Sequence, residues 1–250
     1  MGKNVINKKN IRNPPLGNRG KYKHLFFDLD HTLWDFEANA RATLWELHET
    51  LQLEEKGVND FDLFHKNYLA HNEKLWERYR NGYIKQEELR VKRMWLTLLD
   101  FRIADQNLAE ELNVRFMDLL PTRTILFPYT KEILKYLSGK GYWLHLLTNG
   151  FEKTQHNKLL HSGLKPFFKE VITSEASNSL KPNKEIFEFA LEKCCTKAGE
   201  CIMIGDSVEV DILGAMNAGI DQVYVNHLRL ELAVKPTYTV SSLKELENIF

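Results

Sequence analysis

Short apolar runs alternate with amphipathic segments along the chain after residue 120. The apolar runs at residues 142–147 and 201–204 each end in a polar triplet, and residues 171–173 and 223–225 form shorter runs. Between these runs, apolar residues recur every three or four positions, which predicts helices. The predicted helices cover residues 131–137, 152–161, 184–194, 209–218 and 242–249. Strands that alternate with helices favour βαβ units, so the predicted fold class is α/β with a parallel sheet.

Residues 24–27 form a further predicted strand, and the pattern that follows it is different. From about residue 37 to residue 114, apolar positions recur at helical spacing without a convincing strand, and Asn81-Gly82 marks a turn between two helices. This predicts an all-helical insertion between the first strand and the rest of the sheet. The predicted division is a flexible basic tail over residues 1–22, an α/β core over residues 23–36 and 115–250, and a helical segment over residues 37–114.

The composition narrows the class of protein. At 250 residues, with 43% hydrophobic and 27% charged residues, the chain matches the globular average, which argues against a largely disordered or fibrous protein. No apolar run approaches the roughly 18 residues of a membrane span. Seven of the 34 bases lie within residues 1–23, which hold no acid, so the rest of the chain is acidic. We therefore expect neither a nucleic-acid partner nor a membrane partner.

The cysteines bear on the cellular compartment. Cys194, Cys195 and Cys201 are too few for a disulfide framework and lack the spacing of a metal-binding CxxC motif. A reduced, cytoplasmic protein is therefore expected. The sequence leaves open whether the protein is a monomer or a homodimer.

Polar residues directly after the predicted strands are the candidates for chemistry, because ligands of parallel α/β sheets bind at the carboxyl ends of the strands. Asp28 and Asp30 follow the first strand. The other candidates are Thr148-Asn149-Gly150, Lys181-Pro182, Gly205-Asp206-Ser207 and Asp211. Taken singly, each motif is more typical of a turn or a helix cap. Their ordered recurrence at one edge of the sheet favours a functional site.

Two carboxylates at one sheet edge, from Asp28 and Asp206, are tolerated when a cation lies between them, and hard oxygen ligands suit Mg²⁺. A carboxylate can attack a metal-bound phosphoryl group, which gives an aspartyl phosphate. Asp30 can protonate the leaving oxygen and later accept a proton from water. The Thr148 hydroxyl and the Lys181 ammonium would hold the phosphate oxygens.

Together the four motifs resemble those of the haloacid-dehalogenase superfamily: DxDxT, a hydrophobic residue before Thr-Asn, Lys-Pro, and Gly-Asp-Ser-x(4)-Asp. The resemblance extends over the chain from about His24 and implies a Rossmann-like core with an inserted helical cap that closes over the site. The closer resemblance is to the intracellular 5′-nucleotidases that act on pyrimidine nucleoside monophosphates. The segments that carry it are residues 147–151, 181–187, 211–214 and 239–243.

This resemblance implies a role for each motif residue. Asp28 would be the nucleophile and a metal ligand, and Asp30 the acid and base whose backbone carbonyl also binds the metal. Asp206 would bind Mg²⁺, with Asp211 supporting it directly or through water. The phosphate-binding residues would be Thr148, Asn149 and Lys181. The implied enzyme is a magnesium-dependent phosphomonoesterase whose substrate is a small phosphorylated metabolite, in the first place a nucleotide.

Three positions depart from the pattern of many relatives. Relatives have Gly where His31 stands and often at Asn178, although asparagine tolerates a left-handed backbone, and Val210 replaces a common polar residue before Asp211. Within the helical segment, Tyr83 lies at a predicted turn and is the candidate for stacking on a nucleobase. Arg93 is expected on a solvated helix face rather than at the substrate. Most aromatic residues of the segment are expected to pack in its core.

Three alternatives stay open. The same core with another cap would hydrolyse sugar phosphates or other small metabolites, and a phosphomutase uses the same two carboxylates. A receiver-like phospho-acceptor module also clusters Asp, Thr and Lys around Mg²⁺, but it has no use for a base beside its acyl phosphate. Asp30 therefore favours an enzyme over a receiver. It also favours cleavage of a phosphate ester over dehalogenation, since a halide leaves without being protonated.

Overall fold

The computed structural model describes residues 20–231 and 233–250. Most of the predicted flexible tail, residues 1–19, lies outside the described residues. At its end, Tyr22 is buried and donates a hydrogen bond to the Asp221 carboxylate (2.6 Å), and Lys21 forms an ion pair with the same carboxylate. Lys21 and Tyr22, just before the first strand, are thus bound to Asp221, near the other end of the sequence.

The strands are β1 (His24–Phe27), β2 (Trp143–Thr148), β3 (Glu170–Thr173), β4 (Cys201–Gly205), β5 (Asp221–Val225) and β6 (Tyr238–Val240). They form one parallel sheet in the order β3-β2-β1-β4-β5-β6. Phe27 pairs with Leu146 on one side and with Ile204 on the other, so the three central strands end side by side. The predicted α/β class with a parallel sheet is confirmed.

The α-helices are α1 (Phe36–Thr50), α2 (Phe61–Arg80), α3 (Gln86–Asp100), α4 (Gln106–Leu119), α5 (Thr130–Gly139), α6 (Glu152–His161), α7 (Ser174–Ser177), α8 (Lys184–Lys193) and α9 (Gly214–Asn217). The predicted helix over 209–218 is instead a π-helix, Val208–Leu213, followed by α9, and the one over 242–249 is a 3₁₀-helix, Leu243–Asn248. Strand β6 was not predicted, because it has only three residues and two of them are exposed.

Helices α1 to α4 lie between β1 and β2 in the chain, as the spacing of apolar residues predicts. The carboxylates of Asp35, Asp60 and Asp105 cap the amino ends of α1, α2 and α4, since each accepts a hydrogen bond from the backbone three residues on. Phe64 and Tyr68 are fully buried, which agrees with the prediction that aromatic residues pack within this segment. Among the described residues, no helix is long and apolar enough to cross a membrane.

Two hydrogen bonds join the start of the helical layer, in α1, to the segment that follows α4 and leads back to the sheet. The fully buried Asn39, in the first turn of α1, donates through Nδ2 to the Ile125 carbonyl (2.8 Å) and accepts through Oδ1 from the Ile125 N–H (3.0 Å). The Asn39 side chain thereby adds to the backbone hydrogen bonds that join the two connections between the α1–α4 layer and the sheet.

Candidate active site

A cavity of about 600 Å³ lies at the carboxyl ends of β1, β2 and β4, beneath α1 to α4. The seven core residues singled out from the sequence all line it: Asp28, Asp30, Thr148, Asn149, Lys181, Asp206 and Asp211. The parallel register explains the gathering, because β1, β2 and β4 end level with one another. Tyr83 is absent from the lining and is 72% exposed, so the structure does not bring it to the other residues.

Three carboxylates form a cluster at the base of the cavity. Asp28, Asp206 and Asp211 each present an oxygen atom, and these atoms lie within 4.8 Å of one another. Asp28 and Asp211 are buried, and Asp206 accepts a hydrogen bond from the Thr32 hydroxyl (2.9 Å). A compact set of carboxylate oxygens is the donor set that hard divalent cations prefer, so the residues present fit Mg²⁺.

The Lys181 ammonium is buried against this cluster. It donates to Asp28 (2.7 Å), to Asp211 (2.6 Å) and to the Leu147 carbonyl (2.8 Å). Burial by itself would lower the pKa of Lys181, but the carboxylates of Asp211 and Asp28 outweigh it and raise the pKa. Lys181 therefore stays charged and neutralises part of the negative cluster.

Burial and like charge raise the pKa values of two carboxyl groups in the cluster. Burial raises the pKa of Asp28 to about 8, and the neighbouring carboxylates add to the rise while Lys181 opposes it. Burial, with the charge of Asp211, likewise raises the pKa of Asp206 to about 7. Lys181 thus offsets the effects of burial and like charge only in part, and a cation bound between these carboxylates would be favourable.

Asp30 is not part of this cluster, and its partners were not predicted from the sequence. Its carboxylate accepts hydrogen bonds from the Lys158 ammonium (2.6 Å) and from the Gln155 amide (2.9 Å), and Lys158 also lies 4.2 Å from the centre of the Trp34 ring. Both partners are on α6 and almost fully buried. The sequence did hold one signal for these partners. Gln155 and Lys158 are three residues apart, so they lie on one face of α6, the face that also carries the buried Leu159.

The residues after β2 order the opposite side of the cavity. Thr148 is buried, and its hydroxyl accepts a hydrogen bond from the Gly150 N–H (3.1 Å). Both ends of the Asn149 amide bind the backbone of Lys181, with Nδ2 donating to its carbonyl (2.8 Å) and Oδ1 accepting from its N–H (2.7 Å). In this structure Asn149 therefore positions Lys181, and its predicted contact with phosphate stays a prediction.

Backbone geometry explains several motif residues. A Cβ on Gly205 would lie 2.3 Å from the Asp211 carboxylate, so glycine is required for that carboxylate to pack at the end of β4. Asn178 has φ 50°, in the left-handed region where asparagine is tolerated. His31 has φ 64°, in the left-handed region that glycine adopts without steric cost.

The prediction that Arg93 lies on a solvated helix face is wrong. Arg93, on α3, is only 3% exposed and lines the cavity on the side of the helical layer. Helical periodicity places a residue on a face of its own helix, but the packing of α2 and α4 against α3 decides which faces are covered. Arg93 Nη1 donates to Asn72 on α2 (3.1 Å) and Nη2 contacts the Met117 sulfur on α4 (3.1 Å).

Comparison with known proteins places this site in a family. Residues 22–219 match the model of the haloacid dehalogenase-like hydrolases. The chain is 33% identical over 228 residues to the pyrimidine 5′-nucleotidase PynA of Streptococcus pneumoniae, covering 90% of this chain and 93% of PynA. It is 31% identical over 207 residues to a glyceraldehyde 3-phosphate phosphatase of Methanothermobacter thermautotrophicus, covering 82% of this chain and 85% of that enzyme.

Among solved structures, the magnesium-bound protein YfnB of Bacillus subtilis superposes with a TM-score of 0.83 at 28% identity, covering 92% of this chain and 99% of YfnB. A likeness over nearly the full length of both chains includes the helical layer as well as the sheet. The family match likewise begins two residues before β1 and ends two residues after α9, so it contains the four catalytic motifs but not the segment at residues 239–243. The chain belongs to the haloacid dehalogenase-like hydrolases.

Proposed function

We propose that the protein is a magnesium-dependent phosphatase of nucleoside 5′-monophosphates, with pyrimidine nucleotides as preferred substrates. The observation that carries this proposal is the cluster of Asp28, Asp206 and Asp211 in the same cavity as Asp30, a second carboxyl group with its own partners. The nucleotide preference rests on the similarity to PynA. Asp28, Asp206 and Asp211, with the Asp30 carbonyl, would hold Mg²⁺, which would neutralise phosphate charge and orient the phosphoryl group.

In the first step, a carboxylate oxygen of Asp28 forms a bond to phosphorus while the bond from phosphorus to the leaving oxygen breaks. Asp30, in its protonated form, gives its proton to that oxygen, so the nucleoside leaves as an alcohol. Thr148 donates a hydrogen bond where charge builds up on the phosphoryl oxygens, and the positive charge of Lys181, held by its bonds to Asp28, Asp211 and Leu147, stabilises that charge. The product of this step is an aspartyl phosphate on Asp28.

In the second step, a water oxygen attacks the phosphorus of the aspartyl phosphate. Asp30, now a carboxylate, accepts a proton from that water, and the bond between Asp28 and phosphorus breaks. Inorganic phosphate leaves, Asp28 is again a carboxylate, and Asp30 is again protonated. Lys158 and Gln155 act as positioning residues, because they hold the Asp30 carboxyl group in place.

The division of the chain forms part of the proposal. Residues 23–36 and 115–250 would form the catalytic core, and residues 37–114 the cap that covers the cavity and selects the leaving group. The cavity volume of about 600 Å³ lies within the range of small-molecule sites and suits a mononucleotide. The second candidate is a sugar-phosphate phosphatase, which the similarity to a glyceraldehyde 3-phosphate phosphatase supports.

The test is phosphate release with Mg²⁺ from UMP, dTMP, CMP, AMP, glucose 6-phosphate and glyceraldehyde 3-phosphate. We expect many turnovers and the highest kcat/KM for the pyrimidine nucleotides. Asp28→Asn, which removes the attacking oxygen, should reduce kcat at least about 1,000-fold. The control is Asp118→Asn, since Asp118 is exposed on α4 and its change should leave kcat unaltered.

Each alternative has its own result in this assay. A preference for the sugar phosphates would replace the nucleotidase by the second candidate. A single stable phosphorylation without turnover would identify a receiver-like module, and conversion of a sugar phosphate to its isomer would identify a mutase. Full activity of Asp28→Asn would contradict the mechanism itself.

A further inference from the structure

The buried Arg93 has more hydrogen-bonding capacity than the protein uses. Among the described residues it contacts the Asn72 oxygen and the Met117 sulfur, a weak acceptor, while its Nε is buried without a partner. The rings of Phe116 and Tyr68 lie 5.1 Å and 5.8 Å from the guanidinium carbon. No carboxylate in the described part of the chain pairs with it, although a buried guanidinium ordinarily has one.

The position of Arg93 indicates which kind of ligand would accept its unused hydrogen bonds. It lines the cavity that also contains the acidic cluster, but it comes from α3 in the helical layer, whereas the cluster comes from the sheet. Asn72 lines the same wall, and because its oxygen accepts from Arg93, its amide nitrogen remains available as a donor. This wall of the cavity therefore offers N–H donors, and a complementary ligand presents oxygen acceptors to it.

The other charges at this wall select among such acceptors. Glu37, Glu73 and Arg80 also line the cavity on the helical side; both glutamates are exposed and Arg80 is half-buried. Two carboxylates against one guanidinium leave these three charges net negative, and this would repel a leaving group that carries a carboxylate. A neutral carbonyl group accepts hydrogen bonds from Arg93 and Asn72 without that repulsion.

We propose that Arg93, together with Asn72, recognises the leaving group by donating hydrogen bonds to the C2 carbonyl oxygen of a pyrimidine base. Uracil, thymine and cytosine all carry this oxygen, and adenine has no carbonyl group. The inference rests on the proposed function and names the residues that give it its substrate preference. Arg93 is thus a specificity-determining residue, separate from the groups that transfer phosphate.

The decisive experiment compares Arg93→Met with wild type on UMP, AMP and phenyl phosphate. Methionine is an unbranched apolar side chain that fills much of the arginine's space. We expect kcat/KM for UMP to fall about 30- to 100-fold, mainly through KM, because a donor to a base carbonyl is lost. The values for AMP and phenyl phosphate should change less than about threefold, since neither leaving group has a carbonyl. Lys92→Met, on an exposed part of the same helix, is the matched control.

A binding measurement avoids any dependence on turnover. Uridine, titrated into the metal-free protein and followed by NMR, should bind wild type and bind Arg93→Met at least about tenfold more weakly. Thermal unfolding of Arg93→Met should stay close to wild type, because a buried cation without a carboxylate partner contributes little to stability. A large fall in Tm with equal losses on every substrate would show a merely structural role and overturn the inference.

The same data separate this inference from the proposed function. If wild type prefers UMP and Arg93→Met keeps that preference, the proposed function stands and the role of Arg93 is wrong. If wild type does not hydrolyse pyrimidine nucleotides, both are wrong.

Discussion

The carboxylate of Asp30 has its position set by residues more than a hundred positions away in the chain. Lys158 and Gln155 each bind one of its two oxygens, and the Lys158 ammonium also contacts the face of the Trp34 ring. A lysine this deeply buried is stable as a cation only with a close anion. The pair therefore fixes both side chains, and through them the group that would handle protons in the reaction.

Replacing Lys158 tests this positioning role. In Lys158→Met the carboxylate of Asp30 keeps only Gln155 as a partner in the negatively charged cavity, so its position and its proton transfers are disturbed. We expect kcat for the best substrate to fall about 10- to 100-fold, with KM changed less than about threefold. Steady-state kinetics at several pH values measure both quantities.

Lys153→Met provides the control, because Lys153 is exposed on the same helix. It removes one positive charge without touching Asp30, and its kcat should equal that of wild type. An unchanged kcat in Lys158→Met would mean that Asp30 does not depend on its lysine partner.

At the scale of secondary-structure elements, the ends of the strands place the cluster. Asp28 follows β1 directly and Asp206 follows β4 directly, and these two strands are neighbours in the sheet. Asp211 comes from the π-helix that follows β4, where the Ser207 hydroxyl accepts from the Val210 N–H and caps the first turn. The wider turn of a π-helix brings a third carboxylate back over the end of its own strand, as π-helical turns often do at functional sites.

The junction between the helical layer and the sheet depends on Asn39. In Asn39→Leu, which keeps the size of the side chain, the Ile125 N–H loses its side-chain partner, and the two connecting segments keep only their backbone hydrogen bonds. We expect the free energy of unfolding to fall by about 1–3 kcal/mol, the usual cost of leaving a buried polar group unpaired. Urea unfolding followed by circular dichroism measures the change.

Asn107→Leu serves as the comparison, because Asn107 is an exposed residue on α4. Its free energy of unfolding should stay within about 0.5 kcal/mol of wild type. Equal stabilities for the two variants would show that the Asn39 hydrogen bonds do not hold the junction.

At the scale of the whole molecule, the fold concentrates negative charge in one cavity. Four carboxylates line the catalytic end, and two buried lysines, Lys158 and Lys181, balance part of that charge. The raised pKa values of Asp28 and Asp206 follow first from burial and then from the neighbouring carboxylates, which the lysines offset only in part. A carboxyl group whose pKa is higher in the folded than in the unfolded chain holds a proton more tightly when the protein is folded.

These raised pKa values predict how the stability of the protein depends on pH. In metal-free protein, Asp28 and Asp206 stabilise the fold most at low pH, and this contribution is lost as the pH rises from about 4 through their raised pKa values of about 7 and 8. Protons and Mg²⁺ compete for the same oxygens, so saturating Mg²⁺ should raise Tm several degrees more at about pH 8 than at about pH 5.5. Thermal unfolding with and without Mg²⁺ measures both trends.

Asp206→Asn removes one of the two titrating groups and a ligand of the proposed site. The pH dependence of the metal-free variant should be weaker than that of wild type, and the rise of Tm with Mg²⁺ should shrink. A Tm increase with Mg²⁺ of the same size at both pH values would contradict the assignment of the metal to this cluster.

Alternating apolar runs and helical periodicity determined the main elements, because short strands and amphipathic helices are local patterns. They predicted five of the six strands and the helical insertion, and missed β6, whose short exposed sequence carries no such pattern. The motif residues were found because each follows a strand, and parallel strands end at one edge. The π-helix was predicted only as an ordinary helix, since periodicity does not distinguish the two.

Only the tertiary structure decided which side chains face one another across the cavity. Lys158 reaches Asp30 from α6, Asn149 holds the backbone of Lys181, and Arg93 is buried between α2 and α4 although its helix is largely polar. These contacts join residues from about 20 to about 130 positions apart, so no local pattern encodes them. The sequence determined which residues stand at the ends of the strands, whereas the packing of helices determined which charges they meet there.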